Sequence, residues 1–260
     1  LAEYRLSLGG RTWTILHTGA ILSQQDEEQF LAGAPPRLPY GIALWPAAIA
    51  LAHEIAPRSL RGVRMLELGA GTGLPGIVAA TLGARVLQTD RNTAALAVCR
   101  RNAELNGVLL EQRAADWTAW CETDSYDFIV GADILYADSV HPQLRQIFDN
   151  NLAPAGRLLL ADPFRATSLT LLEAMAADGW NVTFNKWTVG VVPPARPIGV
   201  FELTRRNGVS GQGAGRLGRA KGLPGGLGAA RLRAHQDCQL RPGWLSSEGT
   251  LRRDNWWPET

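Results

Sequence analysis

The chain of 260 residues is poor in the residues that build covalent or metallic scaffolds. Its three cysteines, Cys99, Cys121 and Cys238, lie far apart and form no C-x-x-C pair. That spacing excludes a disulfide framework and a cysteine zinc site, and it predicts a cytoplasmic protein in a reducing compartment. The four histidines are scattered without metal-ligand spacing, so no metal cofactor is expected. Charged residues are few, at 19% against 46% hydrophobic, which is a globular rather than a disordered balance. No apolar run reaches the roughly 18 residues of a membrane span, and no basic-then-apolar leader opens the chain. No membrane partner is therefore expected. The length suits one or two domains with a core of ordinary size.

Charge is unevenly placed. Residues 207–260 carry eight Lys/Arg against four Asp/Glu, a net +4, while the whole chain is only +2, so residues 1–206 are net −2. The same stretch holds 11 of the 28 glycines and shows no sustained apolar period. Such a segment cannot bury enough surface to offset its ordering entropy, so 207–260 is expected to be a disordered Gly/Arg-rich tail. Its charge is the one feature that could serve a nucleic-acid or acidic partner, a weak signal without interleaved aromatics.

Within residues 1–206, apolar runs of strand length alternate with helical stretches. Strands are predicted at 63–69, 85–90, 126–133 and 157–163, with helices at 75–82, 92–106, 139–152 and 166–178. Asn92 is a helix-capping residue type at the right place, and Asn106–Gly107 is a stop signal. Alternation of this kind implies a parallel sheet covered on both faces, with ligands beyond the carboxyl ends of the strands. Runs at 180–187 and 199–206 leave no room for a helix between them and should pair antiparallel. Ahead of the sheet, residues 4–16 read as a β-hairpin turning at Gly9–Gly10, and 43–56 as a helix entered through Pro46. The expected fold is α/β and doubly wound, with a mostly parallel seven-stranded sheet, an antiparallel last strand and an N-terminal hairpin extension.

The densest motif is "MLELGAGTGLPG", with glycines at 69, 71, 73 and 76 directly after a strand. Gly71-x-Gly73-x-x-Gly76 fits a dinucleotide fingerprint, and Asp90 follows at the end of the next strand. Glu67 argues against that ligand, because a carboxylate facing a pyrophosphate would be repelled in a cleft of low dielectric. S-adenosylmethionine presents an ammonium and a sulfonium instead, so the sign of charge favours it.

With "LELGAGTGLPGIVAATLGARVLQTD", "ADILY" and "LWPAAIALA" together, residues 4–206 resemble the class I S-adenosylmethionine-dependent methyltransferases. More narrowly they resemble methyltransferase-like family 16, whose members mostly methylate lysines of non-histone proteins. The resemblance implies S-adenosylmethionine as cosubstrate and a protein as substrate. It implies that Gly69, Gly71 and Gly73 let backbone approach the amino-acid part of the cosubstrate, and that Asp90 accepts from the ribose hydroxyls. Arg91 would lie over the adenine or be merely solvated. Asp116 and Trp117 would meet the adenine amine and ring, while Trp120 reads as core. Trp45 would line the pocket near the methionine end. Helix capping for Asp90 and simple packing for Trp45 and Trp117 are the structural alternatives.

The resemblance also implies an acceptor site at Asp133 and Tyr136, the D-x-x-Y positions. Methyl transfer is an in-line displacement, and the protein chiefly positions and desolvates the nucleophile. Related amine methyltransferases place an Asn-Pro-Pro-Tyr-type motif here, suited to planar amides and base amines. An Asp without the two prolines points to a cationic side chain, with Asp133 attracting the ammonium and Tyr136 walling its channel. A strand-end cap for Asp133 and a core role for Tyr136 are the alternatives, and His141 reads as a surface residue. Because the family includes an arginine-methylating relative, the resemblance alone leaves lysine and arginine open. Other readings are a small-molecule or nucleic-acid amine methyltransferase, a catalytically silent S-adenosylmethionine-binding module and an NAD-dependent oxidoreductase.

Overall fold

The computed structural model describes residues 1–22, 25, 40–190 and 195–206, together with the backbone of 233–234 and 252–254. The chain opens with β1 (Ala2–Leu8) and β2 (Arg11–His17), paired antiparallel with Leu8 opposite Arg11. Gly9 and Gly10 connect them at φ 56° and 78°, both in the left-handed region that a two-residue hairpin turn of this hand requires. Helix α1 (Pro46–Ile55) follows, with Pro46 in its first turn, where a missing N–H removes no helical hydrogen bond.

Strands and helices then alternate as β3 (Arg64–Leu68), α2 (Leu74–Thr81), β4 (Arg85–Asp90), α3 (Thr93–Leu105), β5 (Glu111–Ala114), β6 (Tyr126–Ala132), α4 (His141–Asn151), β7 (Leu152–Asp162) and α5 (Ala166–Ala177). β8 (Trp180–Val189) and β9 (Arg196–Arg205) close the region. The seven sheet strands lie in the order β5-β4-β3-β6-β7-β9-β8. β9 runs antiparallel to both of its neighbours, and the remaining pairs are parallel. The order reverses between β3 and β6, so a crevice opens beyond their carboxyl ends. β10 (Arg233–Ala234) and β11 (Arg252–Asp254) add to the outer edge of β8. The rest of the tail expected to be disordered lies outside the described residues.

Period-two alternation assigns the sheet side chains to two cores. Met65, Val86, Val130 and Leu159 pack with α1, α2 and the hairpin, whereas Leu66, Leu87, Ile129 and Leu158 pack with α4 and α5. In α4 the buried Leu144, Ile147 and Phe148 stand at helical spacing and form its inward stripe. Asn92 caps α3, its Oδ1 accepting from the N–H groups of Ala94 (2.9 Å) and Ala95 (3.4 Å).

The start of β7 departs furthest from the sequence reading. β7 begins five residues earlier than expected, because Leu152 pairs with Tyr126 across a register shift that Pro154 and Gly156 disguise. The hairpin docks by a device that hydrophobic period does not reveal. Asn102 Oδ1 accepts from Leu16 N (2.7 Å) and its Nδ2 donates to Leu16 O (3.1 Å), while Asn106 does the same for Thr14 at 3.0 and 2.8 Å. Four residues of helix rise about 6 Å and two of strand about 6.6 Å, so a helix with asparagines four apart substitutes for a neighbouring strand.

Candidate active site

The turn after β3 has a backbone conformation and surroundings that leave no room for side chains at its glycines. Gly69 and Gly71 sit at φ 62° and 56°, where a side chain would be strained. A Cβ on Gly69 would stand 3.0 Å from Ile134 Cγ2 and 3.5 Å from Trp117 Cζ2, and one on Gly71 would stand 3.3 Å from the Gly41 carbonyl. Gly73, also left-handed, is the N-cap of α2. At the end of β4, Asp90 Oδ2 accepts from Gly71 N (3.0 Å) and Oδ1 from Asn92 N (2.8 Å). The capping alternative for Asp90 is thus taken by Asn92, and Asp90 holds the glycine turn instead. A carboxylate has about four lone-pair sites, so two backbone bonds leave capacity for hydroxyl donors.

Glu67 is not where the charge argument put it. Sharing strand parity with Met65, it points beneath α2 and is 2% exposed. Its Oε2 accepts from Gly76 N (3.1 Å), an unpaired first-turn amide of α2, and from Gln88 Nε2 (2.7 Å). Gln88 also donates to the Gly73 carbonyl (3.0 Å) and accepts from Gln112 Nε2 (3.1 Å), so an amide chain crosses β5, β4 and β3 under the turn. Burial pushes the Glu67 carboxyl up to about 8, against the pull of its two hydrogen bonds, and the Asp90 charge adds to the rise. At neutral pH the group is mostly protonated. It braces the turn from below and offers little charge to a ligand above.

Beside the turn, Trp117 is half-buried, and its six-membered ring covers Gly69. Asp116 is exposed and caps the short helical turn at 117–119, accepting from Thr118 N (2.8 Å) and Thr118 Oγ1 (2.7 Å). Those bonds hold its carboxyl below the ordinary range, with help from the nearby charge of the exposed Arg91. Trp120 donates to Asn151 Oδ1 (2.9 Å) and packs against the core, as its sequence context suggested. Trp45 is the half-buried N-cap residue of α1, three residues beyond the 40–42 turn whose Gly41 carbonyl lies against Gly71.

Across the crevice, the residues after β6 form a second braced loop. Asp133 is left-handed at φ 59°, and its N–H donates to Ala161 O (2.8 Å) on β7. Its carboxylate is already partnered, because Arg165 Nη1 donates to Oδ1. The same nitrogen lies 3.2 Å from Oδ2 of the fully buried Asp162, which also accepts from Ser168 Oγ (2.7 Å). The sequence expectation was a carboxylate that attracts an ammonium, and the ion pair with Arg165 adds a partner that this expectation did not include. Tyr136 is 48% exposed at the rim, which removes the core alternative. His141, read from sequence as a surface residue, keeps only 12% of its side chain exposed and sets Nε2 3.1 Å from the Leu135 carbonyl within the loop.

Sequence reasoning missed Arg165, Ser168, Gln88 and Asn102. The "ADPFR" stretch gave one usable sign, an acidic strand end followed by an arginine at the head of a helix. The other three carry no local signal.

Among known proteins, a family profile described as lysine methyltransferase matches residues 37–170. Protein N-lysine methyltransferase METTL21A of Danio rerio is 40% identical over 124 residues, which cover 44% of this chain and 56% of that protein. The chain thus spans just over half the length of that relative. METTL21A of Mus musculus is 33% identical over 180 residues, covering 63% of this chain and 77% of the relative. Among solved structures, the T. thermophilus 16S rRNA N2 G1207 methyltransferase, in complex with AdoMet and guanosine, superposes with a TM-score of 0.53 at 20% identity. That match covers 79% of this chain and 50% of the other and shows a shared fold.

Proposed function

The chain belongs to the lysine methyltransferase family, and from that premise we propose that it transfers a methyl group from S-adenosylmethionine to a lysine side chain of a non-histone protein. One contact carries the reading. Ile134, next to Asp133 in the acceptor loop, lies against Gly69 in the glycine turn, so cosubstrate cradle and acceptor loop share a wall.

The cradle fits the cosubstrate. Left-handed glycines at 69 and 71 keep the turn free of side chains of its own, Asp90 retains acceptor capacity for two ribose hydroxyls, and Trp117 offers a ring beside the turn. Asp116 and Arg91 stand at the adenine end, and Trp45 near the methionine end. When bound, S-adenosylmethionine supplies an electrophilic methyl group on sulfur. The chain's own residues hold and aim the acceptor. A lysine with a pKa of about 10.4 must give up its proton, which at pH 7 costs roughly 4.6 kcal/mol. Asp133 attracts and orients the amine, and the exposed Tyr136 ring walls its aliphatic stem. The free thiols of Cys99 and Cys121 support a reducing, cytoplasmic setting.

The test is tritiated S-adenosylmethionine incubated with the full chain and cell lysate, followed by mass spectrometry of labelled proteins. Methyl-lysine in a protein is the expected product. Label confined to nucleic acid or small molecules would overturn the reading.

A further inference from the structure

We propose that Arg165 is a positioning residue of the acceptor site: anchored on the buried Asp162, its guanidinium occupies Oδ1 of Asp133 and aims the second carboxylate oxygen at the incoming amine. This rests on the reading of Asp133 and Tyr136 as the acceptor site.

The backbone around Arg165 is built to deliver it. Among the described residues, only Asp133 and Phe164 are non-glycine with positive φ, at 59° and 61°, and they follow the neighbouring strands β6 and β7. Conformations of this kind persist only where their surroundings over-determine them. Phe164 is pinned because its ring stands edge-on to Phe184 (5.8 Å) and Phe201 (5.7 Å). Arg165 is pinned at its own amide, which donates to Asp162 Oδ1 (2.8 Å), and at the head of α5, where its carbonyl accepts from Leu169 N. The side chain is therefore directed back across the strand ends to Asp133.

Charge and donor count agree with this role. Nη1 of a guanidinium carries two protons, one for each of the two carboxylates it meets. One guanidinium is shared between two carboxylates, so Asp133 does not hold that cation to itself. With Oδ1 occupied, the carboxylate plane of Asp133 cannot swing freely, and Oδ2 is the remaining acceptor. An arginine here fixes direction as well as charge, which the flexible point charge of a lysine would do less well.

The experiment uses the full chain with tritiated S-adenosylmethionine and one labelled lysate protein as acceptor, and S-adenosylhomocysteine affinity by calorimetry as a control. Arg165→Ala should keep that affinity within about threefold while transfer falls at least about twentyfold. Guanidinium at about 50 mM, too dilute to unfold a domain, should then restore transfer at least about fivefold in Arg165→Ala and not at all in Asp133→Asn. A merely structural residue would not respond to guanidinium in this way. Wild-type transfer by Arg165→Ala overturns the proposal, as does a loss that guanidinium leaves unchanged while affinity is intact. Should Arg165→Ala fail to fold, Arg165→Lys decides, with a loss of at least about threefold expected and wild-type transfer overturning it. If the wild-type chain labels no protein at all, the acceptor reading falls first, and that outcome is distinct from any result on Arg165.

Discussion

Replacing Glu67 with glutamine isolates the proton that the fold stores under the glycine turn. In the unfolded chain this carboxyl titrates near 4.5, and burial in the native state raises it to about 8. Between those pH values the native protein binds the extra proton, so stability falls as pH rises through the window. The contribution is fully present below about pH 4.5 and lost once pH passes about 8. At roughly 1.4 kcal/mol for each pH unit, the window is worth up to about 5 kcal/mol. Glutamine keeps an oxygen for Gly76 N and Gln88 Nε2 but does not titrate. Urea unfolding of both proteins at pH 5, 6.5 and 8.5, followed by tryptophan fluorescence, gives the difference in stability. Asp162, also raised by burial, and His53, lowered to about 4 by burial, are present in both proteins and cancel in that difference. Glu67→Gln should gain on the wild type by about 3–5 kcal/mol from pH 5 to 8.5. Parallel pH profiles would refute the reasoning, since they would mean that Glu67 is ionised in the folded protein across the whole range.

Other substitutions test the remaining parts. Asp90→Ala should weaken S-adenosylhomocysteine binding by about 1.5–3 kcal/mol, the range for a hydrogen bond to a charged group; unchanged calorimetric affinity would leave Asp90 only its bond to Gly71. Asp133→Asn should keep that affinity and lower transfer at least about tenfold, because the amide retains the shape without the charge; loss of both in proportion would make Asp133 a cosubstrate ligand. Asn102→Leu should cost about 2–4 kcal/mol in urea unfolding, since it strands the Leu16 N–H and carbonyl and the Thr72 carbonyl that Asn102 meets. A loss below about 1 kcal/mol would show that the hairpin docks by apolar contact alone.

Much of the architecture is written in local pattern. The Gly9–Gly10 turn, the Asn92 cap, the entry of α1 through Pro46 and the glycine turn each depend on residues within a few positions of one another. Asp90 and Asp133 were legible as site candidates because polar residues at strand ends face the crevice wherever the strands are parallel. Glu67 was legible as important but misread in direction. Its parity with Met65 places it on the face that α2 covers, which strand alternation could have revealed once α2 was assigned to that face.

The chain by itself therefore determined the order of strands and helices, the glycine turn and the acids at the strand ends. Hydrophobic period, turn chemistry and capping all act over one or two turns of chain. Only the tertiary structure decided which partners those acids meet. Gln88 reaches Glu67 from 21 residues away, Arg165 reaches Asp133 from 32, and Asn102 reaches Leu16 from 86. Such pairings follow from sheet register and from how each helix lies across the strands, and no local period encodes them. They also set the chemistry, because whether a carboxyl is protonated, paired or open to an amine depends on burial and neighbours rather than on its place in the sequence.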